Sequence, residues 1–213
     1  MNKELTFIWD LDGTLLDSYD VIVTSLQETY KEKGVDVSKK EILKDVISHS
    51  VSFFILKMQE KYGIPFSDLK DRYSLISGDK IKNIKLMDHA LEILKYLNDN
   101  NIRNLVFTHR GKTTEGVLKN LDIYDYFEEI VTSLSGFDRK PNPSGLKYLI
   151  EKYQLDKNKT YYVGDRALDI ECADNAHIKS ILFLPDETIG RKTGKETFII
   201  KDLLEIKDIV ASL

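Results

Sequence analysis

The chain has 213 residues, 42% hydrophobic and 31% charged, with a formal net charge of −4. That length can bury a sizeable core as one domain, or as a domain with an insertion, and the acidic balance argues against a broad basic surface, so nucleic acid is not an expected partner. Cys172 is the single cysteine, which excludes an internal disulfide and fits a reducing compartment.

In chain order, the opening stretch MNKELTFIWD does not read as a secretory leader, because its apolar run is short and polar residues follow at once. Leu5 to Trp9 reads as a short, fully buried strand. Asp17 and Ser18 then offer N-caps, and residues 19 to about 82 are helical in period. VIVTSLQETYKEKG ends on Gly34, a C-cap signal; Ser38 caps KKEILKDVI; SVSFFILKMQEKYG runs to Gly63; SDLKDRYSLIS stops at Gly78. From about residue 86 the texture alternates: helix 87–100, strand 102–109, helix 112–123, strand 128–133, helix 142–155, strand 160–165, helix 167–177, strand 179–184, and a closing strand and helix in TFIIKDLLEIKDIV. Such alternation predicts an α/β fold with a Rossmann-like parallel sheet covered on both faces. The expected domains are an α/β core, 1–14 with 86–213, and an inserted helical domain, 15–85. No run approaches the roughly 18 apolar residues of a membrane span. A soluble cytoplasmic protein without a membrane partner is expected, as a monomer or a weak homodimer.

Ligands of an open parallel sheet bind beyond the carboxyl ends of its strands. The first strand is followed by Asp10, Asp12, Gly13 and Thr14, and the next by Thr108, His109 and Arg110. The loop after EEIVTS carries Arg139, Lys140 and two prolines; TYYV is followed by Gly164 and Asp165, with Asp169 four residues on. Singly, each has a plain reading: a DxD pair is usually a turn or cap, and a loop lysine is usually solvated. Together they bring acids, a hydroxyl and a lysine to one sheet edge. Clustered carboxylates raise one another's pKa unless a cation neutralises them. An all-oxygen set points to a hard ion such as Mg²⁺. A metal and a lysine around a carboxylate nucleophile suit phosphoryl transfer.

The segments DLDGTLLDS, FTHR, RKPNP and GDRALD resemble the four motifs of the haloacid dehalogenase (HAD) superfamily, in order and across nearly the whole chain. The helical insertion resembles the C1 cap of the subgroup that includes phosphoglycolate phosphatase and β-phosphoglucomutase. The resemblance implies a Mg²⁺-dependent phosphatase of a small-molecule phosphate ester. Asp10 is then the nucleophile that forms an aspartyl-phosphate. Asp12 is the acid for the leaving group and then the base for water. Thr108 and Lys140 hold phosphoryl oxygens, and Lys140 shields Asp10. Asp165 binds the metal with Asp10 and the Asp12 carbonyl, and Asp169 supports that site. Gly13 permits a tight turn at the phosphate, and Thr14, His109 and Arg110 join the phosphate or substrate side. In relatives with this cap, the loop between the second and third cap elements reads the leaving group. By helix count that loop is ISHSV, residues 47–51, where Ser48, His49 and Ser50 are expected to hydrogen-bond a small polar group. Mutase-type relatives carry an arginine there.

Two positions depart from the pattern. Arg139 and His177 stand where many relatives have glycine. The alternatives are a phosphoglucomutase-like phosphotransferase, a dehalogenase proper, against which Asp12 argues, and a non-catalytic binding protein on the same fold. Outside the motifs, Trp9 reads as core, with Phe7 or Ile8 on the opposite face. SFFILKM reads as helix packing, Cys172 as packing without activation, and DKIKNIK as a solvated linker.

Overall fold

The structure is a computed structural model that describes residues 5–186 and 191–213. The reading of the N-terminus as no leader therefore lies, over residues 1–4, outside the described residues. The chain forms two compact units, 1–17 with 86–213 and 18–85. The unit boundary falls at 17/18, three residues beyond the boundary expected from the motif.

Strand β1 (Thr6–Trp9) is wholly buried and opens the first unit. The chain leaves through a short strand, β2 (Leu16–Asp17), into four helices of the second unit. These are α1 (Tyr19–Lys31), α2 (Lys39–Ser48), α3 (Val51–Tyr62) and α4 (Phe66–Asp79). Their apolar faces meet in one cluster that includes Ile22, Leu26, Tyr30, Phe54, Ile55, Met58 and Leu69. The SFFILKM stripe is divided: Phe54, Ile55 and Met58 are buried, while Phe53 and Leu56 are exposed. Ser38 and Ser50 cap α2 and α3, their hydroxyls accepting from Glu41 N and Phe53 N. Ser18 stands at the N-cap position of α1 but makes no side-chain cap. Gly78 does not end α4; the helix continues through it to Asp79, because with no helix-breaking proline nearby the cost of one glycine is only about 1 kcal/mol.

The chain returns through β3 (Lys85–Leu86). It then alternates α5 (Ala90–Asp99), β4 (Arg103–Phe107), α6 (Thr114–Asn120), β5 (Ile130–Val131), α7 (Ser144–Tyr153), β6 (Thr160–Gly164), α8 (Ala167–Ala176), β7 (Lys179–Phe183), β8 (Phe198–Ile200) and α9 (Glu205–Ala211). Six strands form one parallel sheet in the order β5-β4-β1-β6-β7-β8. The α/β reading with a parallel sheet is therefore correct. The order reverses at β1, so the ends of β1, β4 and β6 lie side by side at the centre of the carboxyl edge, where such sheets bind ligands.

Side-chain alternation on β1 explains its all-apolar sequence. Phe7 and Trp9 stack on one face, ring centroids 6.0 Å apart. Ile8 points the other way, into a cluster with Leu105, Phe107, Leu146, Tyr162, Cys172 and Ala173. Trp9 satisfies its ring nitrogen by donating to Asn104 Oδ1 at 2.9 Å, tying β1 to β4. At the end of α8, His177 adopts φ +58°, a left-handed cap that glycine takes without strain. That is the reason glycine suits this position. Among the described residues, no helix is long and apolar enough to cross a membrane.

Candidate active site

The first loop leaves β1 at Asp10, and Gly13 at φ +83° turns it back so that its amide donates to Leu16 O at 2.9 Å. The turn puts Asp10 under the edge of the sheet, with 1% of its surface exposed. A lone carboxylate so deep would be neutral. Here Lys140 Nζ lies 3.1 Å from Asp10 Oδ2, and Arg166 Nη2 lies 3.3 Å from the same oxygen. Burial pushes the acid's pKa up. Lys140, then Arg166, then a hydrogen bond from the Leu11 backbone more than offset it, and the pKa falls to about 2. Asp10 is thus an ionised, buried nucleophile candidate.

Lys140 is equally buried and is held from three sides. Its ammonium is 2.6 Å from Asp169 Oδ1, and it sits over the rings of Phe107 and Tyr162 at 5.6 and 5.4 Å. Asp169 comes from the first turn of α8, and its other oxygen accepts from Arg166 N at 3.1 Å. Gly164 is required beneath it, since a Cβ there would stand 2.4 Å from Asp169 Cβ. Tyr162, a β6 residue, donates to Phe107 O at 2.8 Å and so fixes the carbonyl just before Thr108. Thr108 is buried at the end of β4, its hydroxyl accepting from Arg110 N at 3.2 Å.

Carboxylate oxygens of Asp10, Asp165 and Asp169 lie within 4.8 Å of one another. The all-oxygen set fits a hard divalent cation such as Mg²⁺. Asp10 and Asp165 are the residues that could hold it, while Asp169 is committed to Lys140 and the Arg166 amide. Thr14, expected on the phosphate side, instead donates to Asp165 Oδ1 at 3.3 Å and steadies that acid.

Several expected site residues have partners within the protein. The Asp12 carboxylate lies outside the acidic cluster; Arg110 takes both of its oxygens, with Nη2 2.5 Å from Oδ1. Arg110 is thus paired with Asp12 in this structure. His109 is no phosphate grip: its Nε2 accepts from Lys140 N at 2.7 Å, and burial followed by the charges of Lys140 and Arg139 drives its pKa down to about 2. A neutral ring is needed for that acceptor role. In the helical unit, Ser50 spends its hydroxyl on the α3 cap, and His49 stacks on Phe53 with centroids 4.0 Å apart. Arg166 and Tyr162 were missed by the motif reading. Arg166 could have been found as a cation beside Asp165 at a strand end; a buried tyrosine in an apolar strand carries no such signal.

A parallel α/β sheet with a buried carboxylate–lysine pair and further acids at its carboxyl edge defines the class: a Rossmann-like α/β enzyme core with an acidic site at the strand ends. The chain belongs to the haloacid dehalogenase-like hydrolase family, whose family model matches residues 7–183. It is 26% identical to the pyrophosphatase PpaX of Oceanobacillus iheyensis over 208 residues, covering 96% of each chain. It is 24% identical to a phosphoglycolate phosphatase of Vibrio vulnificus over 216 residues, covering 95% of this chain and 94% of the other. Its fold matches the crystal structure of a predicted phosphoglycolate phosphatase from Haemophilus somnus with a TM-score of 0.88 at 21% identity, covering 99% of each chain.

Proposed function

We propose that this hydrolase is a Mg²⁺-dependent phosphatase of small phosphate monoesters that works through an aspartyl-phosphate on Asp10. The observation that carries the reading is the buried Asp10 carboxylate at the end of β1, held ionised with Lys140 Nζ 3.1 Å away. In the proposed reaction a carboxylate oxygen of Asp10 attacks phosphorus. The bond to the leaving oxygen breaks, and that oxygen takes its proton from Asp12. Asp12, now a carboxylate, removes a proton from water; the hydroxide attacks the acyl-phosphate, and phosphate leaves with Asp10 restored. Thr108 and Lys140 hold the phosphoryl oxygens, and Lys140 stays fixed between Asp10 and Asp169. Mg²⁺, held by Asp10 and Asp165, would neutralise charge on the transferring group. The α/β part, 1–14 with 86–213, is the catalytic domain in this reading and 15–85 its cap.

The relatives' names supply the first substrates to try, 2-phosphoglycolate and pyrophosphate. Purified protein with Mg²⁺ should release phosphate from members of a monoester panel, and excess EDTA should stop it. Release by the wild type but equally by Asp10→Asn would refute the nucleophile. Interconversion of hexose phosphates faster than phosphate release would replace hydrolysis by mutase-type transfer.

A further inference from the structure

Arg110 is the residue whose placement the proposed reaction does not use. Its fork closes on Asp12 through Nη2 to Oδ1 at 2.5 Å and through Nε to Oδ1 and Oδ2 at 3.1 and 3.3 Å. The remaining terminal nitrogen, Nη1, donates to Thr113 Oγ1 at 3.0 Å, which fixes the plane of the guanidinium from the N-cap residue of α6. The pair is mostly sheltered, with side-chain exposures of 9% for Arg110 and 21% for Asp12. A planar guanidinium binds carboxylates and phosphates with the same bidentate geometry. The Asp12 carboxylate is therefore one of several oxyanions that this fork fits, and it is the more exposed member of the pair.

Position makes this meaningful. To pass its proton, Asp12 must come within about 3 Å of the leaving oxygen. Arg110 is one hydrogen bond behind Asp12. A charged group one or two bonds beyond the leaving oxygen is then within the fork's reach. We propose that Arg110 recognises an oxyanion on the leaving group, close to the ester, with the same fork that holds the Asp12 carboxylate here. The substrate class is a small phosphate ester or anhydride whose leaving group is itself an anion. A neutral leaving group offers this fork no anion to bind. The inference rests on the phosphatase reading, with Asp12 as its acid.

The experiment compares 2-phosphoglycolate, a carboxylate leaving group, pyrophosphate, a phosphate leaving group, and 2-hydroxyethyl phosphate, a neutral analogue of the first. The readout is the ratio of kcat/KM for each anionic substrate to that for the neutral one, in wild type, Arg110→Lys and Arg110→Met. The wild type should favour at least one anionic substrate tenfold or more; which one shows whether carboxylate or phosphate is read. Arg110→Met should lower all activities but reduce that ratio at least tenfold, with a loss in kcat as well as a rise in KM. Arg110→Lys, which keeps the charge without the fork, should recover part of the ratio. A ratio unchanged within twofold in both variants would reduce Arg110 to a structural clamp, and a wild type that prefers the neutral ester would overturn the inference outright. No phosphate released from any of the three, or from the wider monoester panel, would instead sink the phosphatase reading itself.

Discussion

His109 gives the sharpest test of the site's electrostatics, because its role depends on staying uncharged. Its Nε2 accepts the Lys140 amide, and its pKa is driven from 6.5 to about 2, chiefly by burial and then by Lys140 and Arg139. In the unfolded chain the imidazole titrates near its ordinary value, about 6.5. Below that pH the unfolded chain takes up a proton that the folded protein refuses. The stabilising contribution is therefore complete above 6.5. It falls by about 1.4 kcal/mol per pH unit on acidification, until the folded site itself protonates near pH 2. By pH 5 the loss amounts to about 2 kcal/mol. Asp10 does not confuse the window. Its pKa is lowered from 3.8 to about 2, so its contribution is present above 3.8 and is lost only as pH falls towards 2. The assay is urea unfolding at pH 8, 7, 6 and 5, followed by fluorescence of Trp9, the single tryptophan, wholly buried in β1. His109→Gln keeps an acceptor for the Lys140 amide but cannot titrate. The wild type should lose about 2 kcal/mol more than the variant between pH 8 and 5. Parallel curves for the two proteins would refute the buried, neutral imidazole.

The other expectations are briefer. Asp10→Asn should keep the circular dichroism of the wild type while turnover drops by a factor on the order of 10⁴ or more, since the amide cannot form the acyl-phosphate. Removal of divalent ions with excess EDTA should abolish phosphate release and Mg²⁺ should restore it; Ca²⁺, with more ligands at longer distances, should bind and inhibit. His177→Gly should stabilise the protein by about 0.5–1 kcal/mol, the left-handed strain relieved less the added freedom of the unfolded chain, and a raised melting temperature would register it.

The sheet was legible because its physics is local. Apolar runs such as TFIW and NLVF, each bounded by polar residues, have no use except as strands buried on both faces. Helix starts were legible where a hydroxyl does the capping, as at Ser38 and Ser50. Helix ends were less so. Gly63 terminates α3 in the left-handed region, whereas Gly78, equally conspicuous in the sequence, sits inside α4. The difference is backbone conformation, which a residue's name does not carry. β5 reduces to two residues of the six expected, because only Ile130 and Val131 pair with β4.

The site was legible as a set of strand ends but not as a set of partners. Motif order brings Asp10, Thr108, Lys140 and Asp165 to one edge. It cannot say which charge neutralises which, because that depends on side-chain reach across strands far apart in sequence. Asp169, expected to support the metal site, also serves as the counter-charge of Lys140, 2.6 Å away. His109 looked like a donor to phosphate and is an acceptor for the backbone. Arg110 looked like a phosphate ligand and closes on Asp12. Arg166, given no role from sequence, shares Asp10 Oδ2 with Lys140. These reassignments have one cause. Three acids, Asp10, Asp165 and Asp169, are buried together, and burying like charges side by side is costly without compensation. Lys140 and Arg166 stand against Asp10, and Lys140 against Asp169 as well. A third cation, Arg110, is drawn off by Asp12 and stays outside that balance. Asp10 and Asp12, only two residues apart, thus have separate counter-charges, Lys140 and Arg166 for the first and Arg110 for the second.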